Sequence, residues 1–328
     1  LVAAVYAKID YPDEDLAEVS DAEFLTRAEC VQAELSKLKS TYCEGLGKQI
    51  VDGRIHTTFK QTQTLTGRLS SAEPNLQNIP VRSERGRELR RFFVAEQGNI
   101  LIDADYSQIE LRVLAHVSGD EALINAFKKG EDIHTVTASQ VFGVPAEQVT
   151  SEMRKRAKAV NFGIIYGIGD YSLSQDLKIP RKTAAEYIAS YLAKYPAVRD
   201  YLENTKKFAR ENGFVETMFG RRRYISELSS TNKNLQAFGE RVAMNTPIQG
   251  TAADIIKMAM VKVYDRLRSE VPEARLILQV HDELIIEAPE SDAEAVAELL
   301  KNTMENACEM SVPFTVEVAC GKTWYDTK

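Results

Sequence analysis

Hydrophobic and polar positions change period several times along the chain. Residues 99–105, Asn99-Ile-Leu-Ile-Asp-Ala-Asp105, form a short apolar run that predicts a buried strand ending in an acid. Over 107–117, Ile109, Val113 and Val117 fall on one face, which predicts a helix. From about 120 to 240 the pattern is mostly helical, punctuated by Gly and Pro. Two apolar runs, 274–280 and 284–288, flank His281-Asp282-Glu283 and predict a tight β-hairpin. An amphipathic helix over 291–310 and a last strand over 313–318 follow. Residues 11–36 predict one more helix behind the acidic turn Tyr11-Pro-Asp-Glu-Asp. Strands near both ends with a long helical insertion between them predict an α+β fold, not alternating βαβ units.

A length of 328 residues allows a sizeable core in two or three subdomains. The net charge of -7 looks wrong for a nucleic-acid binder. Its distribution changes that picture, because nine acids and two bases in residues 1–36 carry all of it. Residues 53–91 hold eight bases against three acids and are dense in Thr, Gln, Asn and Ser, a composition suited to backbones and base edges. No apolar run is long enough for a membrane span, and the start at Leu1 resembles a fragment's rather than a signal peptide's. Cys30, Cys43, Cys308 and Cys320 have no CxxC or zinc-finger spacing, which predicts reduced thiols and a cytoplasmic protein.

Three constellations carry chemistry. Asp105 and Asp282 each end an apolar strand or its hairpin, where a carboxylate packs poorly without a partner or a metal. Either each caps a turn and faces solvent, or the two converge as ligands for Mg²⁺, which takes one or two carboxylates plus phosphate and water oxygens. Arg154, Lys158, Phe162 and Tyr166 recur every four residues and share one helical stripe. Either this is a surface helix with core-packed rings, or the cations meet phosphates and the rings meet a base. Gly321-Lys-Thr lacks the earlier Gly of a phosphate loop, and no GxGxxG, GxSxG or HExxH is present.

Asp105-Tyr-Ser-Gln-Ile-Glu-Leu-Arg112, Arg154-x3-Lys158-x3-Phe162-Gly-x2-Tyr166-Gly167 and Gln279-Val-His-Asp-Glu283 resemble the three polymerase motifs of family-A DNA polymerases, in particular the polymerase (Klenow-type) domain of the bacterial DNA polymerase I type. Thr66-Gly-Arg-Leu-Ser-Ser71, Pro74-Asn-Leu-Gln-Asn-Ile-Pro80 and Asn245-Thr-Pro-Ile-Gln-Gly-Thr-Ala-Ala-Asp254 are similar too, and the resemblance begins near Leu35. It implies a right-hand polymerase fold with an antiparallel palm sheet and largely helical fingers. Its parts would be an acidic N-terminal thumb remnant (1–36), palm (37–127 and 240–328) and fingers (128–239). The 35 or so residues before the match imply a thumb that is truncated or mostly absent, and low processivity.

The implied activity is template-directed extension of a primer 3′-hydroxyl with dNTPs, releasing pyrophosphate, in DNA replication or repair. Proofreading and 5′-nuclease activities would be lacking. Asp105, Asp282 and the Tyr106 carbonyl would hold two Mg²⁺ ions, with Mn²⁺ able to substitute, and Glu283 would support the site. Arg154, Lys158, His134 and Gln108 would bind the triphosphate, and Lys158 would also protonate pyrophosphate. Phe162 would stack on the nucleotide, and Glu110 with Tyr166 would exclude a 2′-hydroxyl. Arg68 and Gln249 would read minor-groove acceptors shared by all correct pairs, while Arg241, Asn245 and His281 would contact template or primer. Asn75, Gln77 and Asn78 would also touch DNA. Phosphate contacts would come from 53–91, Arg154–Lys158 and Arg221-Arg222-Arg223, whereas Arg85, Arg87 and Arg90 read as solvated charges. The partners would be primer–template duplex and dNTPs, with no membrane, and the chain a monomer in the bacterial cytosol. A single-subunit RNA polymerase and a catalytically dead DNA-binding module are the alternatives; Glu110 disfavours the first, and the intact acids and cations disfavour the second.

Overall fold

The computed structural model describes residues 53–79 and 84–328. The helix expected at 11–36, the acidic segment around it, Cys30 and Cys43 lie outside the described residues. The described residues form two units, one containing 62–69 and 90–328, the other the described residues of 53–61 and 70–89. In the smaller unit, β1 (Thr58–Lys60) pairs antiparallel with β2 (Ser70–Ala72), followed by α1 (Glu84–Glu88). Buried Ser71 ties this unit together: its Oγ accepts from Leu76 N at 3.0 Å, and its own N donates to Gln77 Oε1 at 3.0 Å.

The larger unit begins with β3 (Asn99–Tyr106) and α2 (Ile109–Ser118). A helical run follows: α3 (Glu121–Lys128), α4 (Ile133–Phe142), α5 (Ser151–Ile165), α6 (Asp170–Leu177), α7 (Arg181–Lys194) and α8 (Pro196–Asn212). The hairpin β4 (Phe214–Glu216) and β5 (Arg222–Tyr224) leads into α9 (Lys233–Glu270). Then come β6 (Arg275–Val280), β7 (Glu283–Pro289), α10 (Ala293–Glu305) and β8 (Val316–Gly321).

The main sheet is antiparallel in the order β6-β7-β3-β8, so strands from distant sequence meet as the α+β expectation requires. Central β3 is buried from Leu101 to Ala104, which is why it reads as a nearly unbroken apolar run. Ile102 and Ala104 join Leu111 and Leu114 of α2, Ile255 and Val263 of α9, and Val296 and Leu300 of α10 in one core. Each buried Leu or Ile contributes roughly 2 kcal/mol from area removed from water. That packing makes the sheet end a stiff platform.

Boundaries differ from the predicted ones for local reasons. The helix expected from 107 starts at Ile109, because Gln108 takes left-handed backbone (φ 55°). The helix expected to reach 310 stops at Glu305, where the Asn306 and Ala307 carbonyls accept from Lys262 Nζ. The last strand starts at Val316, not 313, because Pro313 O and Thr315 O are taken by Arg112 and Ser107 N. The short β4–β5 hairpin carried no clear period in the sequence. No helix among the described residues is long and apolar enough to cross a membrane. Cys308 and Cys320 are free thiols.

Candidate active site

The sheet builds an acidic end. Strand β3 pairs with β7 so that Asp105 faces Glu283, and Tyr106 N donates to Asp282 O at 3.2 Å. The turn between β6 and β7 is only His281-Asp282, with His281 at φ 52° and its carbonyl accepting from Gln279 Nε2. Side chains alternate along a strand, so Asp103 shares a face with Asp105. Four carboxylates thus collect at adjoining strand ends.

Among the described residues Lys328 is the cation in contact with these acids, while the Arg68 charge acts on Asp282 and the Arg90 charge on Glu283. Lys328 Nζ lies 2.6 Å from Glu283, 3.2 Å from Asp103 and 3.5 Å from Asp105. Buried oxygens of Asp103, Asp105 and Glu283 still have no partner among the described residues. Burial, then the Asp105 charge, pushes Asp282 well above the ordinary carboxylate range. Burial, then Asp103, does the same to Glu283. Burial opposes the Lys328 charge, yet Glu283 and Asp103 hold its pKa above the ordinary value. Such a cluster favours a further cation. No group of three or more His, Cys, Asp or Glu among the described residues is arranged to hold a metal by itself. Asp105 and Asp282 nevertheless fit Mg²⁺, since that ion completes its shell with water and phosphate oxygens. The Tyr106 side chain cannot take part: it is buried, its hydroxyl donating to Met304 O at 2.6 Å, which leaves only its backbone at the site.

Next to the acids, buried Glu110 in the first turn of α2 accepts from Arg68 Nη2 at 2.5 Å and from Tyr166 Oη at 3.0 Å. Burial, then Glu110, raises the Tyr166 pKa, while a hydrogen bond from Gln249 works the other way. Glu110, Tyr166, Arg68 and Gln249 therefore meet, with Arg68 engaged by a carboxylate. Gln108, in left-handed backbone that costs about 1 kcal/mol for a non-glycine residue, has its Oε1 buried without a partner among the described residues.

Helix α5 carries the predicted stripe. Thr150 caps it, its Oγ1 accepting from Met153 N at 3.2 Å. Arg154 and Lys158 are exposed, Tyr166 is about one-third exposed and Phe162 is half-buried, so the stripe faces outward rather than packing into the core. Arg154 Nε donates to Asp132 Oδ2 at 2.5 Å, Lys158 Nζ stands 5.9 Å from the Phe162 ring centre, and the His134 ring lies 5.8 Å from Phe162. Buried His134 belongs to α4. Burial lowers its pKa; Asp132 opposes this, Arg154 and Lys158 add to it, and the net value is about 4. His134 is a neutral ring at neutral pH, not a third cation. Beyond α5, left-handed Gly167 (φ 67°) makes the turn, and a Cβ there would lie 2.4 Å from Met244 Cε and 3.3 Å from Arg241 Cγ.

Arg241, Asn245 and Gln249 follow one another at four-residue spacing on α9. Arg241 is exposed, Asn245 is half-buried and Gln249 is buried. Asn245 Oδ1 is buried without a partner among the described residues. His281 sits at the acidic turn; burial, then Arg68, lowers its pKa. Asn75, Gln77 and Asn78 belong to the smaller unit, where Asn75 Oδ1 accepts from Gln77 N at 3.0 Å.

Some expectations about bases need correction. Arg221 is not free for phosphate: its Nε donates to Asp254 at 2.9 Å, and its Nη2 donates to Thr66 O and Gly250 O. Arg222 pairs with Glu216 and covers Phe214, and Arg223 donates to Thr246 Oγ1. Arg90 is buried over the Trp324 ring rather than solvated, whereas Arg87 is exposed. Sequence reasoning missed Asp103, Asp132, Asn161 and Lys328. A polar residue in an otherwise apolar register would have marked Asp103 and Asn161. A cavity of about 530 Å³ lined by Val117, Tyr201, Phe208 and Pro247 shares no residue with this site.

The family model described as DNA polymerase family A matches residues 14–326. The chain is 58% identical over 295 residues to DNA polymerase I of Caldicellulosiruptor bescii, covering 89% of this chain and 35% of that one. Against DNA polymerase I of Geobacillus stearothermophilus it is 55% identical, covering 90% and 34%. Against the thermostable DNA polymerase I of Thermus aquaticus it is 53% identical, covering 90% and 36%. The chain thus spans about a third of the length of these relatives. A solved structure, the POL domain of Pol1 from M. smegmatis in complex with DNA primer-template and dNTP, is similar with a TM-score of 0.82 and 46% identity, covering 90% of this chain and 52% of that one.

Proposed function

The chain belongs to DNA polymerase family A, and from that premise we propose that it extends a primer 3′-hydroxyl with dNTPs, directed by a template strand. The observation that carries this reading is the register that sets Asp105 beside the Asp282 turn at the end of the sheet. Bound there, two Mg²⁺ ions, or Mn²⁺ in their place, supply Lewis-acid activation of the hydroxyl and neutralise charge on the phosphates.

The chain's own residues do the rest. Asp105, Asp282 and the Tyr106 carbonyl hold the ions, and Lys328 balances Asp103 and Glu283 behind them. Arg154 and Lys158 bind the triphosphate through charge-assisted hydrogen bonds, giving up the Asp132 contact in the case of Arg154. Gln108 adds a contact and His134 donates as a neutral ring. Lys158 Nζ gives a proton to the departing pyrophosphate, and Phe162 stacks on the nucleotide. Glu110, held by Tyr166 and Arg68, closes the space a ribose 2′-hydroxyl needs. Arg68 and Gln249 read the minor-groove acceptors common to all correct pairs. Arg241, Asn245, His281, Asn75, Gln77 and Asn78 contact the strands. The neighbour solved with DNA primer-template and dNTP supports these partners. Polymerisation alone is assigned to the described residues, with no proofreading or 5′-nuclease step, acting as a monomer in the cytosol.

Primer extension with dNTPs or rNTPs, by the wild-type chain and by Asp282→Ala, tests the proposal. Extension with dNTPs only, lost in the variant, is expected. Extension by Asp282→Ala would overturn the metal assignment, equal use of rNTPs would favour an RNA polymerase, and DNA binding without extension would favour a non-catalytic module.

A further inference from the structure

The inward face of α5 is apolar with one exception. Ala157, Val160, Ile164 and Ile165 are buried, and Asn161 lies among them, fully buried. A buried amide is costly unless both ends find partners. Both do, on one turn of α4: Thr137 Oγ1 donates to Asn161 Oδ1 at 2.9 Å, and Asn161 Nδ2 meets His134 Nδ1 at 2.9 Å. Thr137 and His134 are themselves buried.

The structure turns the amide with Oδ1 toward Thr137 and Nδ2 toward the His134 ring. With Oδ1 turned to Thr137, the NH₂ group points at the ring, and a ring nitrogen that accepts carries no proton. A neutral ring then holds its proton on Nε2. A proton on Nδ1 would set one donor against another, so the amide disfavours both the other tautomer and the imidazolium. Asp132, Arg154 and Lys158 are the charged groups around the ring, and burial keeps it neutral at physiological pH.

We propose that Asn161 is a positioning residue that locks His134 as the Nε2–H tautomer, presenting one neutral donor to a nucleotide phosphate oxygen. The inference rests on the triphosphate role proposed for His134. Its consequence is a division of labour: Arg154 and Lys158 supply charge, while His134 supplies direction without a third positive charge.

Long-range proton–nitrogen NMR of the whole chain with ¹⁵N-histidine reads the tautomer directly. The His134 signals are identified by their loss in His134→Gln. The wild type at neutral pH is expected to show an unprotonated Nδ1 and a protonated Nε2. In Asn161→Asp the carboxylate accepts, so the proton is expected on Nδ1, and KM for dNTP is expected to rise about tenfold with kcat changed far less. If Asn161→Asp fails to fold, Thr137→Val frees the amide and is expected to give a mixture of tautomers with a smaller rise in KM. A wild-type ring protonated on Nδ1, or a tautomer unmoved in the folded variant, overturns the lock whatever the enzyme does. With the lock observed, a dNTP KM unmoved in His134→Gln overturns the phosphate contact, and with it the purpose assigned to the lock.

Discussion

The acidic end of the sheet and the basic face of α5 carry opposite charges on opposite kinds of support. At the sheet end, Asp103, Asp105, Asp282 and Glu283 crowd together with one ammonium, Lys328, among them, and three of them hold a buried oxygen without a partner among the described residues. On α5, Arg154 and Lys158 stand in water and Arg154 has Asp132 as a ready counter-ion. Burying like charges costs stability until a cation arrives, whereas exposed cations cost little. The costly cluster sits at strand ends, where register fixes it. The inexpensive one sits on a helix surface, where solvated side chains can exchange partners as a substrate enters.

The sharpest way to break this comparison is to remove charge from each region and read activity and stability together. Asp282→Asn is expected to lower kcat by about a thousandfold or more in single-nucleotide incorporation, because it removes a ligand of the proposed metal site. In metal-free buffer the same variant is expected to be more stable than wild type, by about 1 kcal/mol in a urea melt, since burial and Asp105 both disfavour the native charge. Lys158→Ala is expected to lower kcat/KM about a hundredfold, the worth of a charge-assisted hydrogen bond made to the reacting phosphates, with stability unchanged within about 0.5 kcal/mol. A less stable Asp282→Asn, or a markedly less stable Lys158→Ala, would erase the contrast.

Between the two regions, Glu110 joins Tyr166 of the α5 end to Arg68. With Glu110 closing the space under the sugar as proposed, Glu110→Ala is expected to lower the preference for dNTP over rNTP about tenfold or more in competition assays. An unchanged preference would show that the steric boundary lies in another residue.

Much of this was legible in the sequence because the relevant signals are local. An apolar run ending in an acid located β3 and Asp105, and two runs around His281-Asp282 located the hairpin. Four-residue spacing located the α5 stripe, and its exposure shows that it faces outward rather than into the core. What stayed hidden depends on distant partners. Arg221 belongs to a basic triplet in sequence, yet Asp254 and two backbone carbonyls make it a strut. Arg90 looks like one base among many until Trp324 covers it. Lys328 gains meaning only when strand register collects three acids around it. Asn161 sits inside a recognised motif, but its role follows from α4 lying against α5.

A last expected effect concerns proton binding on the basic side. His134 has a folded pKa of about 4 against an ordinary value of 6.5. Between those values the unfolded chain holds a proton that the native ring lacks, so stability rises with pH across that window and is lost as pH falls through it. Above pH 6.5 this contribution is constant. Its full size, after allowance for nearby water, is about 1–2 kcal/mol. Other groups titrate in the same range, so the useful quantity is the wild-type stability minus that of His134→Gln. Urea melts at pH 7.5 and 4.5 are expected to show this difference shrinking in acid, since the variant has no ring to protonate. A difference that stays constant or grows as pH falls would mean the native ring takes up a proton readily. His134 would then be a cation alongside Arg154 and Lys158, and directional donation by a neutral ring would no longer distinguish it from them.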